Sequence, residues 1–488
     1  MTNAGSHPDA NLLFPPDFLW GVASSSFQIE GSGPTGARGE SVWDVFCRGA
    51  GAIADGSDGA LACDSFNRYR EDVALINDLG VQSYRFSISW PRVMPNGIGR
   101  TNPLGLDYYD RLIDELLRRG LEPWPTLFHW DYPAELQRRG GWQHPDSPKW
   151  FAEYTAAVVE RYSDRVTRWV TLNEPQVFAG LGHVTGVHAP GLKLPLAESL
   201  RIIHNALLGH GLAVRAIRAL AEQSSKVGIA MACEPGIPEA SPKSDSFEAD
   251  LDAARARTFD LWPDQSDWFM RPGWYTDAVV YGEYPQQALD AIGEHTPGFQ
   301  SRELEEIAQP IDFIGLNIYT GTRVRANTSA GRPAVVPPPK GAAKTAMGWL
   351  VEPESMYWAI RFFAERYNKS LYSLENGMAA HDWPDEKGRI HDTDRIDFTS
   401  RYIAQAHRAV QEGLDLRGYF HWSILDNFEW AEGYEKRFGL VHVDFESLKR
   451  TPKDSYHWFR NLIAAQPSAS DGPQQPARVP TVARGGDR

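Results

Sequence analysis

Cysteine is scarce in this chain: Cys47, Cys63 and Cys233 are the only three, and they are widely spaced. An odd, scattered set makes neither a disulfide framework nor a metal-ligand pattern, and it fits a reducing compartment. His183 and His188 have Gly186 between them and are not the i,i+4 pair of a helical zinc site. Positive charge is in deficit. The 49 Lys and Arg stand against 63 Asp and Glu, for a net charge of −14. That balance argues against nucleic acid or an anionic membrane as partner. No apolar run is long enough to span a bilayer, and Met1 to Asn11 lack the basic and apolar regions of a secretory signal. A cytoplasmic location is expected. Asn327-Thr328-Ser329 and Asn368-Lys369-Ser370 match the glycosylation pattern, which matters only on a secretory route. Gly31-Ser32-Gly33-Pro34-Thr35-Gly36 fits GxGxxG, but Pro34 interrupts it and no apolar-periodic helix opens there, so it reads as a surface loop. No internal repeat is present.

Tryptophan is abundant by contrast, with 17 residues. Many stand beside polar groups, as in His129-Trp130-Asp131, His421-Trp422-Ser423 and Glu429-Trp430. An indole offers a flat apolar face and one donor. That suits the C–H face of a sugar ring, although filling a large core is the plainer use of most of them.

Apolar runs alternate with amphipathic stretches along the chain. Strands are predicted at Phe18–Ala23, Ser83–Ser87, Glu122–Phe128, Trp169–Leu172, Val227–Ala232, Phe313–Leu316, Leu371–Leu374 and Arg417–His421. Helical patterns between them include Ser65–Leu79, Gly105–Arg119, Pro148–Tyr162, Leu196–Glu222 and Thr399–Glu412. Eight strands separated by helices predict an α/β fold, a single (β/α)8 TIM barrel. The spacing exceeds that of a minimal barrel, so several loops at the C-terminal face are expected to be long, and such loops build active sites. The domain is expected over 13–465, between a flexible N-terminus, 1–12, and a disordered tail, 466–488, rich in Pro, Gly, Gln and Ser. The Pro-, Ala- and Gly-rich stretch 327–344 reads as an exposed loop.

Two glutamates stand where a strand gives way to a turn: Glu174 after the fourth strand and Glu375 at the end of the seventh. Each could cap a helix or pair with an Arg. Together they suggest the paired carboxylates of glycoside hydrolysis. Carboxyls about 5–5.5 Å apart allow a double displacement with retention, and about 6.5–9.5 Å leaves room for a water and implies inversion.

Further segments sharpen this. They include Phe18-Leu19-Trp20-Gly21-Val22-Ala23 with Gln28, Tyr84-Arg85-Phe86-Ser87, His129-Trp130-Asp131, Thr171-Leu172-Asn173-Glu174-Pro175, Gly186-Val187-His188-Ala189-Pro190-Gly191, Phe313-Ile314-Gly315-Leu316-Asn317-Ile318-Tyr319, Glu375-Asn376-Gly377, and Asp426-Asn427-Phe428-Glu429-Trp430. In this order, from about Phe14 to Ile463, the chain resembles a glycoside hydrolase family 1 β-glucosidase. The resemblance implies a retaining, exo-acting enzyme on terminal β-D-glucosyl residues of cello-oligosaccharides and of aryl or alkyl β-glucosides. It implies Glu174 as acid/base and Glu375 as nucleophile, with Arg85 and Tyr319 against the nucleophile. It implies sugar contacts for Gln28, His129, Asn173, Asn317, Tyr319, Glu429 and Trp430, a stacking floor at Trp422, and aromatic walls at Phe438 and Trp349. No cofactor and no metal are expected. The expected partner is a small β-glucoside or oligosaccharide, and a homo-oligomer stays open.

Two departures from the family pattern stand out. Leu374 replaces the usual Thr before the nucleophile, so packing behind Glu375 is expected to differ. Gln176 replaces a Trp frequent after Glu174-Pro175, so a more polar aglycone subsite is expected. Competing readings are a 6-phospho-β-glucosidase, which needs cations where Glu429 and Trp430 stand, and a sugar-binding pseudoenzyme, which would be expected to lack one catalytic carboxylate.

Overall fold

A computed structural model describes residues 12–327 and 331–467. Eight parallel strands form a closed barrel in chain order: β1 (Leu19–Ala23), β2 (Ser83–Ser87), β3 (Glu122–Phe128), β4 (Arg168–Asn173), β5 (Lys226–Ala232), β6 (Phe313–Asn317), β7 (Ser370–Asn376) and β8 (Leu416–Trp422). β1 pairs with both β2 and β8 and completes the ring. All eight lie within two residues of the predicted strands. The reason is that a parallel strand covered on both faces reads as a short continuous apolar run.

The main crossover helices are α1 (Ser65–Leu79), α2 (Pro103–Arg118), α3 (Ser147–Tyr162), α4 (Leu196–Leu220), α5 (Glu354–Tyr367), α6 (Thr393–Gln411) and α7 (Asp454–Ala464). α6 begins at Thr393, six residues before the predicted start. The long loops are partly structured. Gly236–Pro238, Thr322–Arg325 and Ala334–Val335 form a small sheet after β5 and β6, and Val441–Val443 pairs with Arg450–Pro452 after β8. Among the described residues no helix is long and apolar enough to cross a membrane.

The barrel axis is plugged by side chains, not open. Trp124 of β3 meets Phe313, Tyr372 and Phe420 at ring-centroid distances of 5.4, 5.0 and 5.1 Å. Val170, Ala230 and Leu374 complete this cluster. The bulky members need glycine opposite them: a Cβ on Gly315 would lie 2.2 Å from Leu374 Cδ1, and one on Gly21 would lie 2.3 Å from the Phe420 ring. Leu374 therefore packs into the plug directly beneath the site, filling the space that Gly315 leaves.

The predicted N-terminus, 1–12, and tail, 466–488, lie outside the described residues apart from Leu12, Gln466 and Pro467. Gln466 is tied down: it accepts from Phe14 N–H at 3.1 Å and donates to Leu12 carbonyl at 3.1 Å. The first and last described residues thus brace each other.

Candidate active site

Strict alternation along a strand would send every second side chain away from the axis. On β7, Tyr372 and Leu374 belong to the axial plug, so Glu375 should face the helices. The register between β7 and β6 shifts between Ser373 and Glu375, and a second shift against β8 lies between Ser373 and Asn376. Such a bulge re-aims a side chain, and Glu375 turns into the bowl at the C-terminal face. β4 does the same. Val170 is axial, while Thr171 faces outward and bonds His210 of α4 at 2.6 Å. A register shift between Val170 and Asn173 then brings Asn173 inward. Glu174 follows with a left-handed φ of 47°, ahead of a short helix, Pro175–Ala179, whose first residue lacks an N–H and suits a first turn.

The two carboxylates are buried and close a single network. Arg85, fully buried on β2, donates from Nη1 to Glu375 Oε1 at 2.5 Å and from Nη2 to Asn173 Oδ1 at 2.5 Å. Its Nε donates to Thr126 Oγ1 at 3.1 Å. Tyr319 donates its hydroxyl to Glu375 Oε2 at 2.7 Å. Asn317 donates to Asn173 Oδ1 at 3.1 Å, and Asn173 Nδ2 bonds His129 Nε2 at 3.0 Å. With Asn173 as donor, His129 Nε2 is the acceptor and Nδ1 carries the proton. Glu174 meets amides instead of a cation or phenol: Asn173 Nδ2 donates to it across a longer 3.4 Å, and the Asn317 amide also reaches it.

These surroundings separate the two groups electrically. Burial, then the charge of Glu375, pushes the Glu174 carboxyl up to about 8. Burial also pushes Glu375 up, but there the Arg85 cation and the Tyr319 hydroxyl oppose it. Glu429 is raised to about 8 by burial and by Glu375. Burial, reinforced by Arg85, lowers His129 well below the usual imidazole range.

A cavity of about 520 Å³ opens over these residues, a volume typical of small-molecule sites. Glu174, Glu375, His129, Asn317, Tyr319, Trp349, Trp422, Glu429, Trp430 and Phe438 all line it. Arg85, Gln28 and Asn173 are fully buried one layer behind the wall. Gln28 holds Glu429 from behind: its Nε2 donates to Asn427 Oδ1, Phe428 carbonyl and Glu429 Oε2 at 2.9, 3.0 and 3.2 Å, and its Oε1 accepts from Ser25 at 2.6 Å. Trp430 is backed by Trp43 and Trp130, at centroid distances of 4.7 and 4.5 Å. Trp422 and Phe438 pack in one cluster with Tyr319 and Trp349 at its edge.

Nearly the whole chain fits a known group. A profile described as "Glycosyl hydrolase family 1" matches residues 10–467. The chain belongs to glycosyl hydrolase family 1. Among similar proteins, Beta-glucosidase A of Thermotoga maritima is 44% identical over 453 residues, covering 92% of this chain and 97% of that protein. Beta-glucosidase A of Acetivibrio thermocellus is 41% identical over 459 residues, covering 93% and 99%. The solved structure of the T. maritima family 1 β-glucosidase in complex with isofagomine lactam superposes with a TM-score of 0.84 at 42% identity, covering 93% of this chain and 99% of that one. This family 1 chain is a glycosidase.

One expectation fails. Gln176 does not reach the cavity; it is fully buried and bonds Ala232 of β5 through both ends of its amide, so it adds no polarity to the aglycone side. Val177 and Leu181 line the outer cavity instead, joined by Phe269, Met270 and Met347. No motif of the sequence points to this apolar wall. Val177 and Leu181 follow Glu174 at helical spacing, a signal that was available; Phe269 and Met347 come from distant segments and left none.

Proposed function

We propose that this glycosidase is a retaining, exo-acting β-glucosidase with Glu375 as nucleophile and Glu174 as acid/base. The observation that carries the reading is the unequal environment of two carboxyls in one cavity: a cation and a phenol on Glu375, and neither on Glu174. Glu375 attacks the anomeric carbon as Glu174 delivers its proton to the leaving oxygen. The resulting ester removes the negative charge that raises Glu174. Its carboxylate then takes a proton from water, which attacks from the face the aglycone left. Two displacements restore the β configuration.

The β-glucosidase activity of the relatives named above supports the reaction, and the closed packing behind Trp430 supports acceptance of a terminal sugar only. His129, Glu429 and Trp430 present polar edges for hydroxyls, and Trp422 offers an apolar face. Asn317 reaches both catalytic carboxyls, whereas Gln28 and Asn173 act on the sugar through, or after small movement of, the wall they support. The apolar outer wall of Val177, Leu181, Phe269 and Met347 favours aryl and alkyl aglycones alongside cello-oligosaccharides. A 6-phosphoglycoside is disfavoured: among the described residues the lining includes no Lys or Arg, while Glu174, Glu375, Glu429, Glu234, Asp267 and Glu432 all contribute carboxyls.

The test is hydrolysis of p-nitrophenyl β-glucoside with NMR of the first-formed anomer, in wild type and Glu375→Gly. β-Glucose from wild type and no comparable turnover in the variant are expected. An α-anomer as first product, or full activity in Glu375→Gly, would overturn the assignment.

A further inference from the structure

Gln176 is one of the two departures from the family pattern, and its buried amide has a specific occupation. Nε2 donates to the Ala232 carbonyl at 3.1 Å, and Oε1 accepts from the Ala232 N–H at 3.4 Å. Ala232 is the last residue of β5. A side-chain amide that engages both polar groups of one peptide residue reproduces a rung of a sheet ladder.

A rung is missing at that place. Glu174 N–H donates to Ala230 carbonyl at 2.8 Å, the last backbone bond from the β4 segment to β5. Alternate residues of a strand face the same neighbour, so Ala232 presents its N–H and C=O to the position that a continued β4 would occupy. The chain leaves that position, because Glu174 is left-handed and Pro175 starts the short helix without an N–H. Both Ala232 groups are buried there and need partners.

We propose that Gln176 is a positioning residue for Glu174, its side chain replacing the lost rung and clamping the acid/base turn to the end of β5. The proposal rests on Glu174 being the acid/base. Glu174 needs such a clamp more than Glu375 does. Its own carboxyl is met by the amides of Asn173, at 3.4 Å, and Asn317, with no cation or phenol on it, so its direction depends on the backbone, and a left-handed non-glycine residue persists only where its surroundings over-determine it. Bonds on both sides of that residue, Glu174 N–H to Ala230 and Gln176 to Ala232, supply the constraint.

The readout is the dependence of kcat/KM on leaving-group acidity, from methyl through p-nitrophenyl to 2,4-dinitrophenyl β-glucoside. Gln176→Met keeps side-chain length and removes both bonds. It should lose roughly 10–100-fold on the methyl glucoside, as expected for a misplaced catalytic group. It should lose less than about 3-fold on the dinitrophenyl glucoside, whose departure needs little protonation. Equal losses on all three, or none, would overturn the proposal. Glu174→Gln in the same series separates the two layers. If that variant steepens the dependence and Gln176→Met does not, the positioning role alone falls. If Glu174→Gln itself loses equally on every substrate, the acid/base assignment falls with it. Gln176→Glu, which exchanges the amide donor for an acceptor, carries the same readout should Gln176→Met fail to fold.

Discussion

The ends of β4 and β7 carry the same two residue types in opposite order, Asn173-Glu174 and Glu375-Asn376, and hold their glutamates by opposite means. Glu375 stays within its strand, and its carboxyl is gripped by side chains from elsewhere, Arg85 on one oxygen and Tyr319 on the other. Glu174 lies beyond its strand, with its backbone bonded to β5 and its carboxyl met by amides, with no cation or phenol on it. A carboxylate that must stay charged and aimed gains from a buried cation and donors. One that must give up and take back a proton gains from freedom from such bonds, because hydrogen bonds to the charged form would hold it ionised. In the proposed roles the difference also locates the cost: removing a partner of Glu375 would leave a buried charge uncompensated, whereas loosening Glu174 would misdirect a proton.

The largest effect should come from deleting the two carboxylates in turn and supplying azide. Glu375→Gly should lose about 10⁴–10⁶-fold in kcat, and azide should restore turnover of an activated glucoside to the α-glucosyl azide. Glu174→Gly should retain formation of the ester, and azide should yield the β-glucosyl azide. The same anomer from both variants would erase the contrast between the two sites. A smaller effect is expected from Arg85→Met. Breaking a buried pair costs about 3–5 kcal/mol, read as a lower midpoint in thermal or denaturant unfolding. With the cation gone, the Glu375 carboxyl rises further, so the acid limb of the kcat/KM profile should move to higher pH. An unmoved limb would mean that Arg85 only packs.

The smallest effect concerns Glu429, which is buried in the same cavity without a cation. Its folded value of about 8 lies above the ordinary glutamate value of about 4.3. Between those limits the native state holds a proton that the unfolded chain has released. This contribution to stability is complete below the lower value and is lost as pH rises towards the upper one. Glu174 carries the same sign. Denaturant unfolding of Glu429→Gln should therefore show a shallower loss of stability from pH 5 to 8 than the wild type.

Most of the barrel was legible because its determinants are local. Buried parallel strands read as apolar runs, and crossover helices such as Ser65–Leu79 read by their period. The segments around Glu174, Glu375 and Glu429 were legible as motifs, and the structure gathers them around one cavity. The bulges at β4 and β7 were not, since period-two reasoning sends Glu375 towards the helices. Nor was the outer wall, which Phe269 and Met347 enter from remote loops. Gln176 stands where relatives often carry a Trp, which predicts a polar aglycone side, whereas the free peptide edge of Ala232 draws the amide inward.

The sequence by itself determined the order of strands and helices, the residue types available for acid/base and nucleophilic work, and the absence of any cation among the site motifs other than Arg85. Those follow from composition and short-range pattern. Only the tertiary structure decided how the strand ends re-aim the two glutamates, which of them left its ladder, and what lines the cavity beyond them. Each of these depends on how a strand end meets its neighbour: a register shift or an unpaired rung is a property of two segments at once, and neither segment's sequence contains it.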